Sequence, residues 1–328
     1  MPANLTADYL AAEKRYKEAR EPQERLGHLE EMLRLIPKHK GTDHLQGDIK
    51  RRISKLKQSL ESKSSQKRSF DYSIPKEGAG QVILVGPPNC GKSSLVAALT
   101  NAAPEIAPYP YTTVKAAPAM MPYEDASVQL IDAPAVCAEH YQTWMNGLIR
   151  NADLVLSMFD AASDSIVDDY IAINGLMEQH RIRFDPAPQD RFDPDGKAWC
   201  KVRYVANKVE QPGALENLAI FFELTGAPLE FIRIDTRSLL GIEPLRGLIW
   251  QALNVLRIYT KAPSKPPDMR SPVILPVGST VLDFARSIHK DFARNLEFCR
   301  IWGEAKYDGM RVPRDHVLCD RDVVELHL

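Results

Sequence analysis

The apolar run Val82-Ile83-Leu84-Val85 feeds directly into Gly86-Pro87-Pro88-Asn89-Cys90-Gly91-Lys92-Ser93-Ser94, and an apolar helical pattern follows from Leu95 to Leu99. Strand, glycine-bounded turn ending in Lys-Ser, and helix in that order make a phosphate-binding loop. Such a turn directs backbone N–H groups inward while the helix presents its positive end to the same point, so a polyphosphate is held largely by uncharged donors. The spacing assigns Lys92 to the β- and γ-phosphates and the Ser93 hydroxyl to Mg2+. The ligand it implies is a nucleoside triphosphate.

At 328 residues the chain can bury two or three cores, so more than one domain is expected. A net charge of -1 exerts no global pull toward nucleic acid or membrane, and any such attraction must be local. No stretch has the length of a membrane-spanning helix, and the N-terminus lacks the basic and apolar regions of a secretion signal; a cytoplasmic protein with no membrane partner is expected. The five cysteines (Cys90, Cys137, Cys200, Cys299, Cys319) are scattered without a CxxC pair, which argues against a disulfide framework or zinc knuckle. Cys90 lies inside the phosphate loop, where alkylation or oxidation is expected to block nucleotide.

Residues 1–69 read as a helical hairpin arm. Leu26, Leu29, Leu33 and Ile36 mark one apolar stripe and Leu45, Ile49, Ile53, Leu56 and Leu60 another, with Pro37 closing the earlier helix and Thr42 capping the later. The second helix is basic: Lys50, Arg51, Arg52, Lys55, Lys57, Lys63, Lys67 and Arg68 stand against Asp48 and Glu61. That charge suits either a solvated face or RNA phosphates. Residues 79–260 alternate strand-like runs (128–131, 154–159, 202–206, 231–234) with helical patterns, the signature of an α/β fold: an open, largely parallel sheet with helices on both faces. The Pro- and Asp-rich stretch 184–197 reads as a mobile surface loop, and 261–271 as a linker. Residues 272–328 read as a small α+β module: a strand at 273–276, a helix at 281–292 capped by the Gly278-Ser279-Thr280 turn, and strands at 298–302 and 323–328.

Four further stations stand at the spacings a GTPase requires. Thr113, in Pro108-Tyr109-Pro110-Tyr111-Thr112-Thr113, is placed to complete the Mg2+ shell when a γ-phosphate is bound. Asp132, in Asp132-Ala133-Pro134-Ala135, would hold Mg2+ through water, but Ala135 stands where glycine usually allows the peptide to rearrange. Asn207-Lys208-Val209-Glu210 occupies the guanine-reading position with Glu210 in place of the usual Asp; its carboxylate can accept from guanine N1 and N2. Asp235-Thr236-Arg237-Ser238 stands where the Ser-Ala base loop would be, with Thr236 facing the nucleotide.

Together these residues resemble the Obg/DRG branch of translation-factor GTPases. The segments Val277 to Phe284, Ile288-His289-Lys290, Ile301-Trp302-Gly303 and 315–324 resemble a TGS domain, a β-grasp module, and His39 to Leu45 with its basic helix is similar to the DRG helical arm. The resemblance implies a P-loop GTPase-type sheet between a helical arm and a TGS domain, GTP/GDP and Mg2+ as ligands, slow hydrolysis, K+ at Asn89, and a ribosome, rRNA or tRNA partner reached through the TGS domain and basic arm, with room for a protein activator. His289 is a candidate RNA contact on the same ground. Two departures stand out. Only about 70 residues separate Asp132 from Asn207, which leaves no room for the domain that DRG proteins insert. No glutamine follows Ala135, and Val136 stands in the neighbourhood of the attacking water. Glu210 also fits an ATP-using relative, and Ala135 a nucleotide-binding adaptor with little turnover. The oligomeric state is not read from the sequence.

Overall fold

Strand β1 (Gln81–Val85) is buried at every position, because helices cover the sheet on both sides and alternate residues reach opposite cores. The computed structural model describes residues 7–18, 22–36, 46–54, 74–100, 117–139, 141–226, 230–303 and 308–327. They fall into two compact units, Met1–Asp71 and Tyr72–Leu328.

In the first unit, α1 (Ala7–Glu18), α2 (Pro22–Leu35) and α3 (46–54) enclose a small core of Tyr9, Ala12, Leu29, Met32, Ile36 and Ile49. The expected two-helix hairpin is therefore three helical segments. Pro22 opens α2 rather than merely breaking a helix, since the first helical position needs no N–H. Lys50, Arg51 and Arg52 are exposed on α3; Lys55, Lys57, Lys63, Lys67 and Arg68, with Thr42, lie outside the described residues.

In the second unit, α4 (Lys92–Leu99) follows β1, and the chain continues through β2 (Ala117–Tyr123), β3 (Ala126–Asp132), α5 (Met145–Asn151), β4 (Leu154–Asp160), α6 (Ile166–Gln179), β5 (Ile182–Asp185), β6 (Ala198–Asn207), α7 (Ala214–Thr225), β7 (Phe231–Arg233) and α8 (Ile242–Leu253). The strand order is β2-β3-β1-β4-β6-β5, with β7 also on β6; all pairs are parallel except β2 with β3. Ile83 and Val85 face the core under α5, α6 and α7, whereas Val82 and Leu84 face the core under α4 and α8. This is the expected doubly covered α/β sheet, and it gathers the carboxyl ends of β1, β3, β4 and β6 where ligands bind in such folds.

Two strands escape the sequence pattern. β2 carries Pro118 and Pro122, which an edge strand tolerates, and β5 is a four-residue piece at the other side. The segment expected as a loose loop at 184–197 is internally tied: Phe192 bridges Ala198, Lys197 N donates to Asp193, and Arg181 donates to the Asp195 carbonyl.

The C-terminal sheet has the order β11-β10-β12-β8-β9, built from β8 (Val255–Thr260), β9 (Asp268–Pro276), β10 (Phe298–Trp302), β11 (Met310–Val312) and β12 (Val323–His327). α9 (Val281–Ile288) and α10 (Lys290–Asn295) accompany it, and Phe284, Cys299, Ile301 and Val324 lie in its core. β8 therefore belongs with this sheet and not with the preceding domain; residues 261–267 join two antiparallel neighbours, β8 and β9, instead of linking domains. The expected helix 281–292 is broken at His289, whose extended backbone ends α9 and whose Nδ1 accepts from Asp291 N to cap α10. That contact gives His289 a structural use where an RNA contact was expected.

Candidate nucleotide site

The phosphate loop closes on itself through backbone conformation. Asn89 and Gly91 both have positive φ (60° and 98°), which turns successive N–H groups to one side. A Cβ on Gly91 would lie 2.3 Å from Asn207 Nδ2, so glycine is required by close approach as well as by φ. Lys92, 8% exposed, donates to the carbonyls of Gly86 and Pro87 at 3.0 Å each, curling over the loop it belongs to. The Cys90 side chain points the other way, into the core between α4 and the sheet. Burial raises its thiol pKa despite the nearby Lys92, so it is a shielded, protonated thiol and not the reactive one that its place in the loop suggested.

The Mg2+ candidates meet. Ser93 Oγ donates to Asp132 Oδ2 at 2.5 Å, bringing the first turn of α4 onto the end of β3. A hydroxyl and a carboxylate at this separation, from exposed Ser93 and half-buried Asp132 that both line the cleft, form a hard-oxygen pair that suits Mg2+. Thr112 and Thr113 lie outside the described residues. After Asp132 the chain is pinned, because Val136 N donates to the Gly86 carbonyl at 3.0 Å. The Val136 side chain, 2% exposed, packs in the core with Val85 and Ile131. That side chain is therefore turned away from the cleft.

The two loops expected to read the base are bolted to the phosphate loop. Asn207, fully buried, donates from Nδ2 to the Cys90 carbonyl (2.9 Å) and the Thr236 hydroxyl (3.3 Å), and its Oδ1 accepts from Thr236 N (3.1 Å). Lys208 Nζ donates to the Asn89 carbonyl at 3.0 Å and pairs with Asp160 at 2.5 Å. The Asp235 carboxylate, 5% exposed, accepts from Arg237 N (2.9 Å), Ser238 N (3.4 Å) and Glu210 N (3.4 Å), so one side chain fixes both loops. Glu210 is exposed and is not among the residues that line the cleft. A cleft of ≈ 590 Å³ results, lined by Pro88, Asn89, Gly91, Lys92, Ser93, Ser94, Asp132 to Ala135, Asn207, Lys208 and Thr236. Its volume falls in the range of small-ligand sites.

Asp160 and Asp235 were not singled out as site residues. Their roles rest on pairing with residues 48 positions away and with two separate loops, which local spacing cannot reveal. The only sequence hint was position, since each directly follows an apolar strand run.

Comparisons with known proteins agree with this geometry. Residues 81–184 match the family model described as 50S ribosome-binding GTPase, and residues 256–328 match the TGS domain model. An uncharacterized GTP-binding protein of Methanocaldococcus jannaschii is 25% identical over 363 aligned positions, covering 93% of this chain and 92% of the relative. Developmentally-regulated GTP-binding protein 1 of Xenopus laevis is 24% identical, covering 92% and 98%. Among solved structures, the YchF GTPase of Schizosaccharomyces pombe shares the fold with a TM-score of 0.50 at 13% identity, over 78% of this chain and all of that one. The TGS match begins at residue 256, in agreement with the place of β8 in the C-terminal sheet.

Proposed function

We infer that this chain, a DRG-type GTP-binding protein that joins a GTPase domain to a TGS domain, hydrolyses GTP slowly with Mg2+ and acts as a ribosome- or RNA-associated switch. The observation that carries the nucleotide reading is the Asn207 crosslink. One buried amide holds the phosphate loop and the Thr236 loop at a fixed separation, which suits a ligand that presents phosphates and a base together.

Within this frame the residues divide the work. The N–H groups of the loop and of the α4 N-terminus neutralise the phosphates, and Lys92 exchanges its two carbonyl partners for phosphate oxygens. Ser93 and Asp132 would hold Mg2+, which when bound supplies positive charge against the β- and γ-oxygens. Asn89 would help hold K+. Glu210 accepts from guanine N1 and N2; adenine would leave that acceptor unpaired. With Val136 in the core and Ala135 in place of glycine, no described side chain positions the attacking water, which makes low unaided turnover the expectation and leaves acceleration to a protein or RNA activator.

The test is titration of nucleotide-free protein with fluorescent GTP and ATP analogues in Mg2+ buffer. A guanine preference, with affinity lowered at least about 30-fold by Lys92→Ala, is expected, since that change removes the charged partner of buried acceptors. An adenine preference would replace this reading with that of an ATP-using relative. Absence of binding to either would remove the nucleotide-dependent role altogether.

A further inference from the structure

β5 stands at one side of the large sheet and pairs with β6 alone. In a parallel pair, alternate residues of a strand bond to the partner strand. The Ala198 N–H donates to the Arg181 carbonyl, which assigns Arg181, Arg183 and Asp185 to the β6 side. The N–H and C=O groups of Ile182 and Phe184 therefore point away from the sheet, and among the described residues no hydrogen bond engages them. Pro186, next in that outward series, has no N–H and ends the free ladder.

This edge is flanked by a cavity on each face. Ile182 and Phe184 pack with the core under α6, and on that face lies a cavity of ≈ 510 Å³, lined by Tyr170, Ile171, Gly175, Ile182 and Phe184 among others. Ile171 is 60% exposed there, and a Cβ on Gly175 would meet no atom within 4 Å. Arg183 and the opposed Trp199 stack on the reverse face, where a second cavity of ≈ 470 Å³ collects Asp185, Asp190, Asp193 and Asp195. Arg183 and Trp199 border both cavities, so the two lie on either side of one strand. The only cation lining the second cavity is Arg183, which is already paired with Glu178 at 3.1 Å and faces Asp193 at 3.5 Å. The Asp193 side chain is 6% exposed, and its Oδ2 makes no hydrogen bond among the described residues. Asp190 and Asp195 are exposed. That cavity is short of positive charge.

We propose that β5 is a docking strand for an extended segment of another protein, which adds to the sheet edge with apolar side chains toward α6 and basic side chains toward the aspartates. Side chains of a strand alternate between its faces, so one guest strand reaches both cavities at once. Backbone hydrogen bonds to Ile182 and Phe184 supply affinity whatever the guest's sequence, and the two cavities of opposite character select among guests. A docked helix would leave those backbone groups without partners. No residue lining either cavity lines the nucleotide cleft, so the proposal stands apart from the nucleotide reading.

The experiment uses the full chain and a fluorescein-labelled peptide of alternating Leu and Lys, followed by anisotropy, with a peptide of the same composition in two blocks as control. The alternating peptide should bind about tenfold or more tightly, the worth of one buried aliphatic side chain. Methylating either its Leu or its Lys backbone nitrogens blocks one edge of the guest strand. One of the two methylations should weaken binding about 5- to 150-fold, the worth of two hydrogen bonds, and the other should have little effect. Gly175→Leu fills the apolar cavity and replaces a poor helix former, so it should weaken binding about tenfold or more while Tm stays at or above the wild-type value. Asp190→Asn combined with Asp195→Asn, at exposed positions, should weaken binding and reduce its loss between 50 and 200 mM KCl. Equal binding of the two peptides, equal effects of the two methylations, or wild-type binding in both variants would overturn the proposal. So would a wild-type chain that binds no peptide, and sedimentation of that chain as a dimer would then give the edge to a second copy.

Discussion

Asn207 shows how much one buried amide can decide. It makes three hydrogen bonds to two loops from a fully buried position, and Asn207→Ala would orphan the Cys90 carbonyl and Thr236 N. The expected cost is about 2 kcal/mol of stability, visible in urea unfolding, together with a smaller GTP-over-ATP affinity ratio. Loss of stability with an unchanged ratio would separate Asn207 from base selection. Ala135 sets a second expectation. Its Cβ narrows the backbone freedom that the peptide after Asp132 uses near a γ-phosphate, so Ala135→Gly should raise single-turnover GTP hydrolysis about threefold, in line with the backbone difference between Ala and Gly. An unchanged rate would place the limit elsewhere. At this scale the sequence was informative where chemistry follows local spacing: Pro88, Asn89, Gly91 to Ser94, Asp132, Asn207 and Lys208 are gathered into one cleft. It was silent where chemistry depends on distant partners. Asp160 meets Lys208, Asp235 meets Glu210 N, and the core claims Val136 and the Cys90 thiol.

Among the elements, the β2–β3 hairpin is the one whose two ends serve different domains. β3 ends at Asp132 in the nucleotide cleft, while the turn at Glu124 and Asp125 grips the C-terminal sheet. Arg257, 4% exposed, donates to Glu124, to Asp125 (3.0 Å) and to both oxygens of Asp320 (3.1 and 2.5 Å), and it lies over the Trp250 ring. Tyr259 donates to Asp125 and Arg321 to Glu124. Hydrogen bonds from Arg257 and Arg321 lower the Glu124 pKa; burial alone would raise Asp125 and Asp320, but their bonds to Tyr259 and Arg257 leave both lowered. Carboxylates with depressed folded pKa values stabilise fully above their ordinary values of 3.8 and 4.5, and that contribution is lost as pH falls through the depressed ones. Arg257→Met should therefore cost about 3 kcal/mol at pH 7, with the gap to wild type constant down to about pH 5 and closing below about pH 4. Thermal unfolding of both proteins across that range checks it, and a gap independent of pH would mean that packing, not charge, is lost. A smaller test concerns Thr280, which forms a capping box with Asp283; Thr280→Ala should cost about 1 kcal/mol. That cap was legible because Gly-Ser-Thr before an apolar stripe is a local signal. β8 was misassigned because nothing local distinguishes the last strand of one sheet from the first of the next, and the break at His289 involves neither proline nor glycine.

Across the Tyr72–Leu328 unit, the hairpin turns these local contacts into a connection between the nucleotide cleft and the C-terminal sheet. Arg246 on α8 donates to the Ala98 and Leu99 carbonyls at the end of α4 and to the Pro122 carbonyl of β2, so the helix that begins at Lys92 is braced against the same strand pair. β2 itself starts at Ala117, shortly after the candidate Thr113, and β3 ends at Asp132. Asp132, the candidate Mg2+ ligand, thus lies at one end of a hairpin whose turn is clamped by Arg257. A shift of that end on nucleotide binding has a lever toward the C-terminal sheet, because Arg257 sits on β8 of that sheet. Binding linkage then gives a reciprocal expectation for the proposed RNA association: GTP should change RNA affinity by about fivefold or more, and RNA should change GTP affinity by the same factor. Arg257→Met should bring both factors toward one while leaving GTP affinity without RNA, and RNA affinity without nucleotide, near wild type. The four affinities, measured for both proteins by the fluorescent nucleotide and labelled RNA titrations, decide it. Equal factors in wild type that persist in Arg257→Met would show that the two sites communicate without the clamp, and factors of one in wild type would show that they do not communicate.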